Sequence, residues 1–307
     1  MTKWNIACVV VTYNRKELLK RCLDAVNSQV LKPSTVFIVD NASTDGTQDS
    51  VKEWGYYECI HNGINYRYVL NSKNEGGAGG FYLGMKTAYD EGGYDALWVM
   101  DDDGIPDKKC LRELSVYLGK WDFISPLVVS LDNPDVLSFY DKRRKEFESQ
   151  ADNGIVIGAS NPFNGVLFSK SLVKKVGFPK KEMFIWGDET NYRLRATNSG
   201  FIPVTVISAV HLHPKDRQIK IKAPLVKKVI AISDVDWKLY YYLRNMTYNT
   251  LYVDARNKLI KVPQLLYVMF AYIYHYTFKG PRRMNSIVSR AFKAGFRKDF
   301  SPFKREL

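Results

Sequence analysis

Cysteine is scarce in this chain. The four cysteines (Cys8, Cys22, Cys59 and Cys110) are scattered, with no Cys-x-x-Cys pair. Cys8 lies in an apolar, strand-like run, so buried reduced thiols in a cytoplasmic protein are expected and a zinc site is not. Twenty glycines and twelve prolines in 307 residues fit neither a collagen nor a disordered chain. No internal repeat or low-complexity tract is visible. No signal peptide is expected, because Met1-Thr2-Lys3-Trp4 runs straight into a strand pattern. The length suits one large catalytic domain with an appendage, or two modest domains, and is ample for a buried core.

Acidic residues are also missing where they would balance the charge. Residues 1–213 carry 25 Lys/Arg and 26 Asp/Glu, whereas residues 214–307 carry 20 Lys/Arg and 6 Asp/Glu. The net charge of +13 therefore resides in the last third, which points to an anionic partner there. That third is also aromatic. Leu265 to Phe278 is fourteen residues without a formal charge. As a helix it spans about 21 Å, short of a roughly 30 Å hydrocarbon core. Arg256, Lys258 and Lys261 precede it, and Lys279, Arg282 and Arg283 follow. Tyrosine-rich apolar surface framed by cations suits a helix lying in a membrane interface. A helix whose aromatics fill a core is the alternative. Nucleic-acid binding has no recognition motif in its favour.

The first hundred residues alternate between strand and helix patterns. Asn5 to Val11 is a nearly continuous apolar run, as in a parallel strand buried on both faces. A helix is expected over about 15–29, a strand at 35–39, and a helix capped by Thr44 or Asp45 that runs to Trp54. Strands follow at 66–70 and 96–100, with a helix over 81–91 between them, preceded by a glycine-rich loop. This alternation predicts an α/β fold: a mostly parallel, Rossmann-like sheet flanked by helices, with ligands at the carboxyl ends of its strands. Residues 130–155, centred on Lys142-Arg143-Arg144-Lys145, read as an excursion or lid loop. Patterning resumes with a strand from Phe163 to Phe168 and a helix near 170–176. A further helix starts at Asp188, and a strand covers 202–209. From Asp234 onward the chain reads as helical. Two regions are expected, a catalytic domain at 1–213 and a basic, aromatic helical region at 214–307.

Asp101-Asp102-Asp103 directly follows the apolar run Ala96–Met100. At about 4 Å and an effective dielectric near 20, each close carboxylate pair costs on the order of 4 kcal/mol before screening. A divalent cation reverses that sign, and hard oxygen ligands suit Mg2+ or Mn2+ completed by substrate phosphate and water. An acidic surface turn is the plainer alternative. Asn74-Glu75-Gly76-Gly77-Ala78-Gly79-Gly80-Phe81 is neither a GxGxxG nor a Walker loop. Its glycines would let backbone N–H groups approach phosphate or sugar oxygens, or would serve only as a flexible linker. Thr12-Tyr13-Asn14 and Asp40-Asn41-Ala42-Ser43 follow neighbouring strands, where a tyrosine can stack on a base and an aspartate can accept from a base N–H or ribose hydroxyl. Each set could equally be a helix cap. Trp186-Gly187-Asp188-Glu189 opens a helix; its acids either complement the helix dipole or include a partly desolvated general base. His211 and His213 share one face of a strand, and one of them could complete a metal site.

Assembled, these residues resemble the family 2 glycosyltransferases. Cys8-Val9-Val10-Val11-Thr12-Tyr13-Asn14-Arg15 and Val39-Asp40-Asn41-Ala42-Ser43-Thr44-Asp45-Gly46-Thr47 are similar to the nucleotide-binding opening of that family. The Asn74–Phe81, Asp101–Asp103 and Trp186–Glu189 segments resemble its galactofuranosyltransferase branch, over roughly residues 5–213. The resemblance implies a GT-A fold and an inverting single displacement from a UDP-sugar, UDP-galactofuranose first, with Mn2+ or Mg2+ on the diphosphate. It implies that Thr12, Tyr13 and Asp40 hold the uridine, with Asn14, Asn41, Asn74, Gly76 and Gly77 in the nucleotide-sugar site. Asp101 would contact the donor ribose or sugar, and Asp102, Asp103 and His211 would bind the metal. Asp188 would deprotonate the acceptor hydroxyl, with Trp186 and Glu189 at the acceptor. His213 competes for the metal, and spacing favours His211. Gly187 departs from the branch, which has a second acid there. The chain is much shorter than the branch's processive polymerase, so addition of one or a few residues is expected.

Acceptors in this branch are usually polyprenyl-diphosphate-linked, which implies a cytoplasmic enzyme peripheral on the inner face of the cell membrane and in contact with anionic lipid. The runner-up is a dTDP-rhamnose-dependent rhamnosyltransferase on the same fold. A non-catalytic glycan- or lipid-binding protein is a reading of another class. The oligomeric state is left open.

Overall fold

The run Ile6-Ala7-Cys8-Val9-Val10-Val11 has no polar side chain to turn toward water, and β1 (Ile6–Thr12) is accordingly buried along its whole length. The computed structural model describes residues 4–139, 142–161, 163–215, 219–223 and 229–304. Met1, Thr2 and Lys3 of the opening segment and positions 140 and 141 of the expected excursion lie outside them.

The chain divides into two compact units, residues 1–181 with 195–216, and residues 182–194 with 217–307. The chain crosses between them at 181/182, 194/195 and 216/217, and the expected cut at 213/214 lies near the third. The Trp186–Glu189 segment, however, goes with the second unit.

In the first unit β1 is followed by α1 (Lys16–Asn27), β2 (Thr35–Asp40), α2 (Thr47–Glu53), β3 (Cys59–His61), β4 (Ile64–Leu70), α3 (Gly76–Glu91) and β5 (Ala96–Asp101). Then come β6 (Ile105–Pro106), α4 (Cys110–Ser115), β7 (Phe123–Ser130), α5 (Arg144–Glu148), β8 (Ile155–Ile157), β9 (Asn164–Ser169), α6 (Lys170–Val176) and, after α7 (Asp188–Asn198), most of which belongs to the second unit, β10 (Pro203–His213). The strand order is β3-β4-β2-β1-β5-β9-β7-β10-β6, with β8 paired to β10. Strands β4, β2, β1 and β5 are parallel, as are β7 and β10; β9 is antiparallel to both β5 and β7. The α/β sheet is thus mixed and mostly parallel. Leu19, Cys22, Leu23 and Val26 of α1 pack onto the Cys8, Val10 and Trp98 face.

Three elements differ from expectation. The glycine run is not a loop, because α3 begins at Gly76 and contains it. A Cβ on Gly80 would lie 2.4 Å from Val11 Cγ1, and one on Gly84 2.5 Å from Val9 Cγ1, so glycine brings this helix down onto the sheet. The strand expected at 202–209 continues to His213, past a register shift between Val206 and Val210. The expected excursion contains α5 and ends where β8 begins, and Val129 of β7 bridges Leu137 within it.

The second unit has a hairpin, β11 (Ile219–Lys222) with β12 (Val229–Ile232), and the helices α8 (Asp236–Tyr248), α9 (Lys258–Phe278) and α10 (Met284–Arg297). A wide turn, Asn249–Val253, extends α8. Its core is Leu239, Leu243, Leu265, Tyr272, Tyr276, Val288 and Phe292, with Phe184 and Ile185 packed against it.

Candidate active site

β1 and β5 run in parallel register, with Val11 beside Asp101, and Thr12 stands beside Asp40 of β2. The acid triplet therefore leaves the sheet at the carboxyl ends of its central strands, where ligands gather in such sheets. Asp102 is fully buried. Thr12 Oγ1 donates to its Oδ2 at 2.7 Å, and Arg15 Nη2 lies 2.7 Å from its Oδ1. Arg15 Nη1 also reaches Asp103 Oδ2 at 3.1 Å. Burial pushes Asp101 upward, helped by the neighbouring Asp103, and pushes Asp102 up to about 7 against the pull of Arg15. Asp103 goes the other way. Burial opposes it, but the hydrogen bond and charge of His213, together with Arg15, hold it below the usual carboxylate range.

His213 supplies the decisive contact. Its Nδ1 lies 2.7 Å from the Pro214 carbonyl, which only an N–H satisfies, and its Nε2 lies 3.1 Å from Asp103 Oδ1. With Nδ1 carrying hydrogen, Nε2 meets a carboxylate either as a second N–H or through a shared cation. Burial works against the charged imidazole, yet Asp103 raises its pKa overall. A divalent cation fits this pair by replacing that proton. Among the described residues no three His, Cys, Asp or Glu side chains already surround one point.

His211, favoured by spacing, is placed differently. It is completely buried, and neither ring nitrogen has a hydrogen-bond partner among the described residues. A Cβ on Gly104 would come within 2.3 Å of its Nε2, and one on Gly165 within 2.6 Å of its Nδ1, so two glycines sandwich the ring. Burial first, then His213, pushes it down to about 3, which leaves it neutral. The imidazole in contact with a carboxylate of the acid triplet is that of His213, while His211 lies against Gly104, the residue after the triplet.

The expected nucleotide residues divide into tied and open groups. Asp40 is buried, accepting from Ser43 N at 2.8 Å through Oδ1 and from the Tyr68 hydroxyl through Oδ2. Asn41 is buried too. Its Nδ2 donates to Gly76 O at 2.8 Å and Asn74 Oδ1 at 3.1 Å, and its Oδ1 accepts from Asn71 Nδ2 and Glu75 N. Asn74 Oδ1 also accepts from Gly76 N. Asn41, Asn74 and Gly76 thus lock the start of α3 to the end of β2, while Gly77 has open space around its Cα. Tyr13 is 39% exposed, free to stack on a planar ligand. Asn14, at a left-handed φ of 52°, accepts from Thr44 N and ties the β1 loop to the β2 loop.

Within its own unit the Trp186–Glu189 segment is held from α8 and the turn that follows it. Phe184 and Trp186 adopt left-handed φ values of 67° and 55°, uncommon for bulky residues, and Gly187 follows at 91°. The carbonyls of this strained turn are gripped from α8. Arg244 Nη2 donates to Glu182 O and Met183 O; Asn245 Nδ2 donates to Met183 O, Ile185 O and Trp186 O. Asn249 Nδ2 donates to Gly187 O at 2.7 Å while its Oδ1 accepts from Asn191 Nδ2 at 2.9 Å. A Cβ on Gly187 would lie 2.9 Å from Asn245 Cβ, which accounts for glycine where a second acid was expected. Asp188, at the first position of α7, is buried. Both carboxylate oxygens of Glu189 accept from Gly187 N, at 3.1 and 3.0 Å. The Trp186 ring is half-buried, edge-on to Tyr242, with Lys238 Nζ 5.7 Å from its centroid.

Sequence reasoning missed Arg15, which bridges two of the three acids, and the Arg244, Asn245 and Asn249 clamp. The signal for the clamp was present. Arg244 and Asn245 are polar residues on the inward face of an aromatic helix, and buried polar groups there need partners.

Residues 7–177 match the family described as Glycosyl transferase family 2. Over 221 residues, 68% of this chain and 70% of the other, the sequence is 34% identical to the galactofuranosyltransferase GlfT1 of Mycobacterium tuberculosis. It is 35% identical to the GlfT1 of Mycolicibacterium smegmatis over 228 residues, 70% of this chain and 72% of that one. A solved mannosyltransferase from Pyrobaculum calidifontis, PcManGT in complex with GDP-Man and Mn2+, shares the fold. Its TM-score is 0.58 at 16% identity, over 97% of this chain and 76% of that one.

Proposed function

The chain belongs to glycosyl transferase family 2 and is a glycosyltransferase of GT-A fold, and from that premise we propose that it transfers galactofuranose from UDP-galactofuranose, with inversion, onto a lipid-linked or polysaccharide glycan acceptor in bacterial cell-surface polysaccharide synthesis. The likeness to the mycobacterial galactofuranosyltransferases supports the sugar. The observation that carries the reading is the contact of His213 with Asp103 beside the buried Asp102, at the carboxyl ends of the central strands.

Asp103 and His213 would hold the cation, with Asp102 behind them fixed by Thr12 and Arg15. A carboxylate and an imidazole suit Mn2+ better than Mg2+, which prefers oxygen throughout. When bound, the cation offsets charge developing on the leaving diphosphate. Tyr13 stacks on the uracil, and Asp101 takes the donor ribose or sugar. Asp40, with its carboxylate committed to Ser43 and Tyr68, shapes the uridine pocket through the loop it fixes.

Asp188 is the general base, and Trp186 and Glu189 belong to the acceptor side. The acceptor hydroxyl oxygen forms a bond to the anomeric carbon as the bond from that carbon to the diphosphate oxygen breaks. The electron pair leaves on UDP, and the hydroxyl proton passes to the Asp188 carboxylate. A polyprenyl-diphosphate-linked acceptor brings the enzyme to the cytoplasmic face of an anionic membrane. No described helix is long and apolar enough to cross one.

The test is thermal stabilisation by UDP and by dTDP, each with and without Mn2+, followed by transfer assays with the matching donors. A ligand that binds only the native state raises the melting temperature. A UDP shift that grows with Mn2+, and turnover of UDP-galactofuranose, is the expected result. A larger dTDP shift would move the donor to dTDP-rhamnose. No shift with either nucleotide would overturn the reading.

A further inference from the structure

α9 has two faces of opposite fate. Leu265, Val268, Tyr272 and Tyr276 turn into the core of the second unit, and the Tyr276 hydroxyl donates to Ser233 O at 2.8 Å. This half of the helix is anchored. The other half is exposed and still apolar: Leu259 is 82% exposed, Leu266 53%, Phe270 45%, Ile273 41% and Phe278 71%. Leu259, Leu266, Phe270 and Ile273 recur at seven, four and three residues, so they form one stripe along the helix. A solvent-facing helical stripe ordinarily carries charge, and a contiguous apolar one marks an interaction surface.

Beside the stripe, α9 and α10 enclose an open groove of about 310 Å³, lined by Met269, Ile273, Phe292 and Phe296 with Ser289, Lys293 and Arg297 at its edge. Two of its lining residues, Lys293 and Arg297, are exposed cations. The charge around it has one sign. From residue 255 to residue 298 there are ten Lys or Arg and no Asp or Glu.

We propose that this outward face of α9, with the α9–α10 groove, is the surface by which the protein lies on an anionic phospholipid bilayer. Acyl-chain ends meet Leu266, Phe270 and Ile273 and enter the groove. The phosphates meet Lys293 and Arg297, with Lys279 and Arg282 beyond the helix end. Apolar and aromatic side chains between cations are the chemistry of the bilayer interface, where the two kinds of group are needed at neighbouring depths. The helix lies on the membrane and does not cross it, because its inner face is committed to the core and it lacks the length and apolarity to span. This deepens the peripheral-membrane part of the reading above and rests on that part alone; donor, metal and base are not involved.

The experiment is flotation of the full chain with vesicles of phosphatidylglycerol and phosphatidylcholine, against vesicles of phosphatidylcholine alone. The variants are the pair Phe270→Glu with Ile273→Glu, and the pair Lys293→Glu with Arg297→Glu. All four positions are exposed, and melting temperature with and without UDP, measured without vesicles, checks fold and donor site separately. Wild type should float with the anionic vesicles only, and release with added salt. Each double variant should keep its UDP response and bind the anionic vesicles about tenfold more weakly or worse. Failure of wild type to float, or flotation of both double variants as well as wild type, would overturn the proposal. So would a wild-type dimer that Phe270→Glu disperses with no loss of vesicle binding, since the face would then belong to a second copy. A lost UDP response in wild type would instead count against the donor reading and leave this one standing.

Discussion

His213 Nε2 stands 3.1 Å from Asp103 Oδ1 while its Nδ1 faces the Pro214 carbonyl at 2.7 Å, so the ring is oriented from one side and offered to the carboxylate from the other. Two residues earlier, His211 lies sealed between Gly104 and Gly165. The two histidines should therefore separate under mutation. His213→Ala should weaken Mn2+-enhanced UDP binding by more than about tenfold, the least that even outer-shell changes typically cost. His211→Leu, which replaces a neutral buried ring by apolar volume, should retain the Mn2+ response. Isothermal titration of UDP with and without Mn2+ on both variants decides it. Loss of the response in His211→Leu with retention in His213→Ala would reverse the assignment.

Gly187 and Asn249 form a second separable pair. Gly187→Ala places a Cβ at a φ of 91° and 2.9 Å from Asn245 Cβ. Asn249→Leu takes one of two donors from Gly187 O and removes the Asn249 acceptor of the Asn191 amide. Each change should cost about 1–3 kcal/mol of stability. Both should lower kcat for transfer more than they raise the donor KM, because the strained turn carries Asp188. Melting curves and steady-state kinetics of the two variants test this. A donor KM that rises with kcat unchanged would detach the turn from catalysis.

The strands and the acid triplet were legible because their signals are local. β1, β2 and β5 are apolar runs bounded by polar turns, β4 is a tyrosine-rich stretch of mixed polarity, and Asp101 to Asp103 break such a run abruptly. The glycine segment misled because local preference and tertiary need disagree. Gly80 and Gly84 weaken a helix by propensity, yet only glycine lets α3 approach Val11 and Val9. The choice between His211 and His213 was not local either. It depends on the register shift between Val206 and Val210 and on space left by Gly104 and Gly165, from two other parts of the chain. The hold of Asn245 and Asn249 on a turn about sixty residues earlier is of the same kind. α9 was readable in halves, as its tyrosines went largely inward while its leucine and phenylalanine stripe stayed outside.

Thiol chemistry reports on the packing of the first unit. Cys8, Cys22 and Cys110 are buried, and burial pushes each thiol far above its ordinary pKa. Cys59, on the edge strand β3, is partly exposed; limited burial and then Glu58 raise it only modestly. The thiolate is the reacting form, so an aromatic disulfide reagent at pH 8 should find one titratable thiol in the native protein and four after denaturation. Cys59→Ser should remove the native signal. Any fast thiol in that variant would mean that α1 or α4 opens from the sheet on the timescale of labelling.

Asp188 carries the sharpest prediction for the chemistry. Asn keeps the shape of its side chain and removes the ability to accept a proton, so the buried start of α7 should tolerate the change better than it tolerates Ala. Asp188→Asn should lower transfer by about 10²–10⁴-fold, the range that positioned proton transfer supplies. UDP should still raise the melting temperature as in wild type, because the donor contacts assigned here lie with Tyr13, Asp101, Asp103 and His213. A variant that loses the UDP shift along with transfer would place Asp188 in donor binding or folding. A variant that keeps transfer within a few-fold of wild type would require another base, and Glu189, now turned onto Gly187 N–H, would be the next carboxylate to replace.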